Sequence, residues 1–365
     1  MDEVNVSKRI GILTGGGDAP GLNAVIRAVV LTARNHYDWD VVGIVRGFDG
    51  LYEGLPSVPL LEKDMRELLA RGGTILGAAN RGSPFAHPVQ RPHGKIEYED
   101  VSHVAISRMA DLGIDALIVA GGDGTMAIAN RLVSLGARVV GVPKTIDNDI
   151  GGTDITFGFD TALNTATEAL DKLQTTAESH HRVMVLEVMG RDAGWIALHA
   201  GVAGGADAIL IPEIPFDIEV VCQKIRQLKV AGRNHSLIIV AEGAAPIGGQ
   251  QQYRIKGEGR HGARLGGVGQ IVGDLLADCV GSEVRVTVLG HVQRGGQPTP
   301  HDRWLATRFG SAAVHLAAQE KWGYMVALQG THMSAVKMED AIKMKLVDVN
   351  SETVQMARDL GVVFG

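Results

Sequence analysis

The sequence predicts an α/β fold in about two domains, and three observations carry that expectation. The 365 residues, 45% of them hydrophobic, suffice to bury a large core and at this length divide into more than one domain. Aromatic residues make up 4% while glycine reaches 48 residues, a balance that suits many tight strand-to-helix turns better than a sandwich or a barrel. Short apolar runs also alternate with amphipathic segments, and glycines mark many of the junctions.

A first strand is expected over 9 to 13. It opens into Thr14-Gly15-Gly16-Gly17-Asp18-Ala19-Pro20-Gly21-Leu22-Asn23 and then a helix with apolar positions at Val25, Ile26, Val29 and Val30. Taken alone, this loop resembles a dinucleotide fingerprint, but Gly-x-Gly-x-x-Gly with an acidic residue at the next strand end is not clearly met. A strand over 41 to 45 and a helix over about 61 to 70 follow. The segment from Arg71 to Gly82 then gathers glycines and two arginines around a short apolar stretch, as a third loop facing the same ligand would. Its Arg81 offers a planar fork that matches phosphate oxygens; the plain alternative is a surface arginine in a connecting loop.

Residues 116 to 149 organise the rest. An apolar run, Leu117-Ile118-Val119-Ala120, leads into Gly121-Gly122-Asp123-Gly124-Thr125 and an amphipathic segment to Leu135. A second apolar run at Val139-Val140 ends in Pro143-Lys144-Thr145-Ile146-Asp147-Asn148-Asp149. This reads as strand, glycine turn, helix, strand and acidic loop, and in a parallel sheet both loops leave the carboxyl ends of their strands, where ligands of open α/β sheets bind. Glycines ahead of a helix let backbone N–H groups approach a phosphate, and the helix N-terminus adds partial positive charge. Asp123 can hold a Mg²⁺, an ion that takes carboxylate oxygens and bridges to substrate phosphates. Asp147 and Asp149 stand two apart and so point the same way in extended backbone. One of them could take a proton from an attacking hydroxyl while the other stays ionised near metal. The bland reading, an ordinary turn and a solvated loop, explains either half alone better than it explains both at this spacing.

Beyond it, 160 to 177 has helical periodicity and ends in Ser179-His180-His181-Arg182 before a strand over 183 to 188. Val188-Met189-Gly190-Arg191-Asp192-Ala193-Gly194 is expected to open a helix, an unfavourable place for a cation unless it binds an anion. A strand over 207 to 211, a helix after Asp217 and a strand over 237 to 241 ending in Glu242-Gly243 continue the alternation. A helix over about 262 to 278 precedes a strand over 284 to 289. Arg285 lies on that strand, and Gly290-His291-Val292-Gln293-Arg294-Gly295-Gly296 follows, reading as an anion or sugar contact. Helices over about 301 to 319 and 338 to 344 look like ordinary packing elements.

Net charge is −6 with no basic run, so no nucleic-acid surface is expected. The N-terminal residues lack the pattern of a signal peptide, and no apolar run approaches the roughly 18 residues of a membrane span, which points to the cytoplasm and to no membrane partner. Cys222 and Cys279 lie far apart without a Cys-x-x-Cys pattern and are expected to be reduced and structural.

Five of these stretches together resemble the 6-phosphofructokinase family. They are Gly-Gly-Asp-Ala-Pro-Gly at 16 to 21, Gly-Gly-Asp-Gly-Thr at 121 to 125, Thr-Ile-Asp-Asn-Asp at 145 to 149, Val-Met-Gly-Arg at 188 to 191 and Gly-His-Val-Gln-Arg-Gly-Gly at 290 to 296. Gly-Gly-Asp-Gly-Thr alone is shared with lipid and NAD kinases; the set in this order, over residues 8 to about 320, is specific. The resemblance implies two similar three-layer α/β domains, residues 1–158 plus about 293–343 for donor phosphate and Mg²⁺, and 159–292 plus about 344–365 for sugar phosphate, with the active site in the cleft between them. It implies phosphoryl transfer from MgATP to the 1-hydroxyl of fructose 6-phosphate. Gly17, Arg81, Gly82, Gly121, Gly122, Asp123, Gly124 and Thr125 would hold the donor, Asp123 the Mg²⁺, and Asp147 would be the general base. Thr145, Met189, Gly190, Arg191 and Glu242 would hold the sugar, with Arg182, Arg285, His291 and Arg294 around its anionic groups. In the family, the cations matching Arg182 and Arg285 reach in from a neighbouring subunit, so a homodimer or homotetramer with shared sites is implied.

Two departures bear on the donor. The family's donor arginine aligns without gaps onto Asn80, so Arg81 takes that role if the loop carries one extra residue. Lys144 stands where familiar bacterial ATP enzymes have glycine and pyrophosphate enzymes have lysine, which places the chain near the mixed-substrate branch. Gly124 points to ATP, since pyrophosphate enzymes carry aspartate there, in the path of a nucleotide α-phosphate. Pyrophosphate as donor is the alternative, a non-catalytic sensor of sugar phosphate or nucleotide is a reading of another class, and an NAD kinase is a third that leaves residues 285 to 296 unexplained.

Overall fold

The computed structural model describes residues 7–79, 82–251, 253–255 and 264–365. In chain order its strands are β1 (Arg9–Thr14), β2 (Asp40–Ile44), β3 (Ser57–Pro59), β4 (His87–Gln90), β5 (Ile96–Glu99), β6 (Ala116–Gly121), β7 (Val139–Thr145), β8 (Phe157–Gly158), β9 (Val183–Val188), β10 (Ala208–Leu210), β11 (Ser236–Ala241), β12 (Tyr253–Ile255), β13 (Arg264–Leu265), β14 (Val284–Val288), β15 (Tyr324–Gln329) and β16 (His332–Lys337). The α-helices are α1 (Leu22–Tyr37), α2 (Asp49–Tyr52), α3 (Ser102–Asp111), α4 (Asp123–Ser134), α5 (Phe159–His180), α6 (Trp195–Ala203), α7 (Ile218–Val230), α8 (Val268–Val280), α9 (Pro300–Ala318), α10 (Met338–Ala341) and α11 (Glu352–Asp359). The chain divides into two compact units, one of residues 1–146, 150–160 and 294–344, the other of 147–149, 161–293 and 345–365.

The first unit is built on a sheet ordered β16-β15-β7-β6-β1-β2-β3. Strands β15, β7, β6, β1 and β2 run parallel, with antiparallel β16 and β3 at the two ends. Side chains of a strand alternate between faces, and β6 shows what that does here. Ile118 and Ala120 join the core formed with Val25 and Ile26 of α1 and Phe309 of α9, whereas Leu117 and Val119 join Met126 and Ala129 of α4 and Met109 of α3. Buried on both faces, β6 has the continuous apolar run of a central parallel strand; each of its large side chains contributes about 1.5–3 kcal/mol by leaving water.

In the second unit a sheet ordered β10-β11-β9-β14 is parallel throughout. Val221, Cys222 and Ile225 of α7 and Val272 and Leu276 of α8 pack on it with Val183, Val185, Ile238 and Val240. The interleaving of positions 147–149 and 345–365 with 161–293 means that the C-terminal residues and the acidic triplet belong to one unit.

Several local expectations change. The helix over 61 to 70 is only a 3-10 turn, Glu62–Met65, because the chain beyond it is drawn across α1: Asn23 Nδ2 donates to the carbonyls of Arg71 and Gly72 at 3.0 and 3.2 Å. The helix expected from 262 starts at Val268, since Gly266 and Gly267 take φ of 130° and 94°, a region closed to the helix; residues 262 and 263 lie outside the described residues. Arg191 stands ahead of α6 rather than in it. Hairpins β4–β5 and β15–β16 and helix α3 had no strong signal in the sequence. Cys222 and Cys279 are not reduced: they form a disulfide with Cα atoms 6.1 Å apart. Their helices α7 and α8 lie side by side, a proximity that a spacing of 57 residues does not reveal.

Candidate active site

Three glycine loops meet at the carboxyl ends of β1, β6 and the segment before Ala79. Gly15 N donates to the Ala120 carbonyl at 2.8 Å and Gly16 N to that of Ala79 at 3.2 Å, while Thr14 Oγ1 pairs with Thr74 Oγ1 and the Gly77 carbonyl. Asn23 completes the brace by accepting from Ile75 N at 2.9 Å. Thr125 is buried beneath the loops: a Cβ added to Gly15 or Gly121 would overlap its side chain. Glycine is thus required at both positions for close approach.

Asp123 opens α4 behind Gly122, so its carboxylate sits at the positive end of that helix. Gly124 follows, exposed, and a Cβ there would meet nothing within 4 Å. Lys144 is 97% buried at the end of β7, where its Nζ donates to the Gly17 carbonyl. It therefore ties the first glycine loop to β7. Gly82 abuts the Asp49 carboxylate, which also receives the Tyr52 hydroxyl. Arg81 and Asn80 lie outside the described residues.

In the same unit Thr145 ends β7, its carbonyl held by Thr156 Oγ1 at 2.8 Å. Arg294 Nη1 donates to the Asp18 carbonyl at 3.4 Å, beside Gly17.

The second unit holds Asp147 and Asp149. Asn148 has φ of 53°, so the chain from Asp147 to Asp149 is bent and not extended, and the expected same-side alignment of the two carboxylates does not follow. Both are half-buried. At the ends of β9 and β11, Glu242 N donates to the Val188 carbonyl at 2.8 Å and Gly243 N to that of Gly190 at 3.0 Å, which sets Glu242 beside Met189, Gly190 and Arg191. Gly190 has φ of 135°, and a Cβ on Gly243 would overlap the Arg191 carbonyl. Buried Gln293, not singled out from the sequence, accepts from Met189 N at 3.3 Å and donates to the Gly290 carbonyl at 3.1 Å, joining the turn that carries His291 to the Met189 segment. Its only signal was its place in the Gly-His-Val-Gln-Arg run.

Arg182 and Arg285 come together on one carboxylate. Arg182 Nε donates to Glu283 Oε2 at 2.6 Å and Arg285 to Glu283 Oε1. The hydrogen bond from Arg182, followed by the two guanidinium charges, holds Glu283 below the usual carboxylate range. Arg285 and His291 are exposed, and Arg191 reaches outward with Asp192 at 2.7 Å.

The Asp123 carboxylate beside the glycine loops and the α4 N-terminus fits a Mg²⁺, an ion held by one or two carboxylates together with other oxygen ligands. Among the described residues no group of three or more His, Cys, Asp or Glu gathers to hold a metal by itself.

A family model described as phosphofructokinase matches residues 9–317. The chain belongs to that family. It is 53% identical over 359 residues to the ATP-dependent 6-phosphofructokinase of Chloroflexus aggregans, covering 98% of each chain. It is also 51% identical over 334 residues to the pyrophosphate--fructose 6-phosphate 1-phosphotransferase of Amycolatopsis methanolica, covering 91% of this chain and 94% of that one. Among solved structures, phosphofructokinase from Saccharomyces cerevisiae superposes with a TM-score of 0.77 at 32% identity, over 97% of this chain and 47% of that one. The chain thus spans about half of the yeast phosphofructokinase chain. Relatives of nearly equal identity carry different donors in their names, so the donor of this phosphofructokinase must be read from its own residues.

Proposed function

We propose that this chain transfers the γ-phosphoryl group of MgATP to the 1-hydroxyl of fructose 6-phosphate, giving ADP and fructose 1,6-bisphosphate. Gly124 carries the reading: it is exposed at the first turn of α4, with space where an acidic side chain would otherwise meet a nucleotide phosphate. Names of relatives at 50–53% identity over nearly the full chain support ATP as well. The backbone N–H groups of the glycine loops and the α4 N-terminus receive the phosphates. Asp123 would hold Mg²⁺, which would offset the charge of the phosphates. Asp147 takes the proton of the attacking hydroxyl, while Glu242, Met189, Gly190 and Arg191, set side by side by the β9 and β11 ends, orient the sugar.

Arg182 and Arg285, paired through Glu283, act on the phosphate of a neighbouring subunit's substrate, so the working form is a homodimer or homotetramer. The cytoplasmic location expected from the sequence belongs to the same proposal. Lys144 is the observation that favours pyrophosphate, since its ammonium could hold an orthophosphate end. In this structure it is buried and already engaged by the Gly17 carbonyl, and an added cation attracts either donor, whereas a blocked path excludes one. Turnover of fructose 6-phosphate with ATP against pyrophosphate, each with Mg²⁺, is the test. Preference for pyrophosphate would overturn the donor assignment, and binding without turnover on either donor would favour a sensor.

A further inference from the structure

The C-terminal segment closes against the acidic triplet through a single lysine. Lys345 N donates to the Asp149 carbonyl at 2.8 Å, and its Nζ donates to Asn148 Oδ1 at 3.1 Å. These two bonds hold the residue after the proposed base by its side chain and the next by its backbone. Asn148 is itself 95% buried and in the left-handed region, which asparagine enters more readily than other side-chain-bearing residues but which its hydrogen bonds must still hold in place. Lys345 is fixed in turn. Trp195 Nε1, at the start of α6, donates to its carbonyl at 2.8 Å, and its ammonium lies 5.6 Å from the centre of the Trp195 ring. Two residues on, Val347 N donates to Glu213 Oε1 at 2.9 Å, and that same carboxylate accepts from Gly194 N. A brace therefore runs from the α6 N-terminus through Trp195 and Glu213 to Lys345 and on to Asn148.

We propose that Lys345 is a positioning residue for phosphoryl transfer, holding Asn148 in its left-handed turn so that Asp147 stays where it can take the hydroxyl proton. The proposal rests on the reading of Asp147 as general base. A charged donor on a buried amide suits this task, because its bond is stronger than a neutral one. Loss of the ammonium would let the turn relax without removing any group that touches substrate.

The test is Lys345→Met, which keeps the stem over Trp195 and removes the ammonium with its bond to Asn148, assayed beside Lys345→Arg, Asp147→Ser and the double variant Asp147→Ser/Lys345→Met. Lys345→Met should lower kcat on the order of 10- to 100-fold, the range in which small misplacements of reacting groups fall, with the KM for fructose 6-phosphate within about 3-fold. Lys345→Arg should recover most of that loss. In the Asp147→Ser background the same change should cost nothing further, because the group it positions is gone. Unchanged kcat in Lys345→Met, or an undiminished additional loss in the double variant, would overturn the positioning role. A lowered melting temperature with full activity per folded molecule would overturn it too. If Lys345→Met does not fold, Asn148→Gly removes the same bond and keeps the backbone region open; wild-type kcat there also sinks the proposal. Should Asp147→Ser keep wild-type kcat, the base assignment falls instead, whatever Lys345 does.

Discussion

At Gly124 a Cβ would meet no atom within 4 Å, so an aspartate is admissible to the fold and its effect falls on the ligand alone. Gly124→Asp should cut ATP turnover by on the order of 10²-fold or more, since juxtaposed like charges cost several kcal/mol, with the melting temperature almost unchanged. Steady-state rates with each donor check this, and retention of ATP turnover would remove the steric and electrostatic basis of the assignment. For Asp147→Ser the expectation is a fall in kcat of about 10² to 10⁴, the usual share of a general base, with little change in the affinity for fructose 6-phosphate by calorimetry; an affinity loss at intact kcat would make Asp147 a substrate ligand. His199 offers a pH readout. Burial and, secondarily, the Lys345 charge lower its pKa from the ordinary 6.5. The folded protein then binds the proton more weakly than the unfolded chain. Stability from this group is complete above about pH 6.5 and is lost as pH falls through the lowered folded value, so the melting temperature of His199→Gln should vary less with pH in that window.

What was legible at this scale is that the glycine loops at 14–17 and 121–125 open at the ends of strands β1 and β6, because close backbone approach demands glycine at short spacings that survive in sequence. Lys345 was not legible. It meets Asn148 across 197 positions, and nothing in either local sequence announces the other. The bend at Asn148 escaped although asparagine is, after glycine, the residue that most readily takes the left-handed region; the extended reading of Asp147 and Asp149 passed over that local signal.

Helices α7 and α8 lean on the same face of β9 and β11 and are joined by Cys222–Cys279. Closing a loop of 57 residues removes conformational freedom from the unfolded chain worth about 4 kcal/mol on the chain-entropy account. Reduction with dithiothreitol should lower the melting temperature measurably, Cys279→Ser should lower it equally, and reductant should then have no effect on the variant; a Cys279→Ser protein as stable as oxidised wild type would mean that the bond adds nothing. Parallel strands such as β6, β9 and β11 were plain in the sequence because burial on both faces leaves an uninterrupted apolar run. Helix α3 and the hairpin β15–β16 were harder to see, their half-exposed faces diluting the periodic signal. The stretch from 61 to 70 shows how Asn23, one buried side chain, can turn a helical pattern into a crossing segment.

On the scale of the molecule, the glycine loops, Thr145 and Arg294 belong to one unit, and Asp147 to Asp149 with Met189, Gly190, Arg191 and Glu242 to the other. Arg182 and Arg285 lie together on the second. If they serve a neighbouring subunit's site, mixing inactive Asp147→Ser with inactive Arg182→Ala protein, after dissociation and reassembly, should restore part of the activity, because some sites in the hybrids receive both intact contributions. Hybrids without recovered activity would mean that each site is made from one chain.

The antiparallel strands that end the first sheet have a bearing on life in a crowded solution. A sheet whose last strand presents a free row of N–H and C=O groups is a template on which a passing chain can zip up, and long flat edges are where fibrous aggregates begin. Here one end is β3, three residues long and closed by Pro59, which has no N–H to give. Such an end leaves little for a foreign strand to grip, so on heating this edge should resist seeding clumps, and a Pro59→Val protein should scatter light at a lower temperature than its parent.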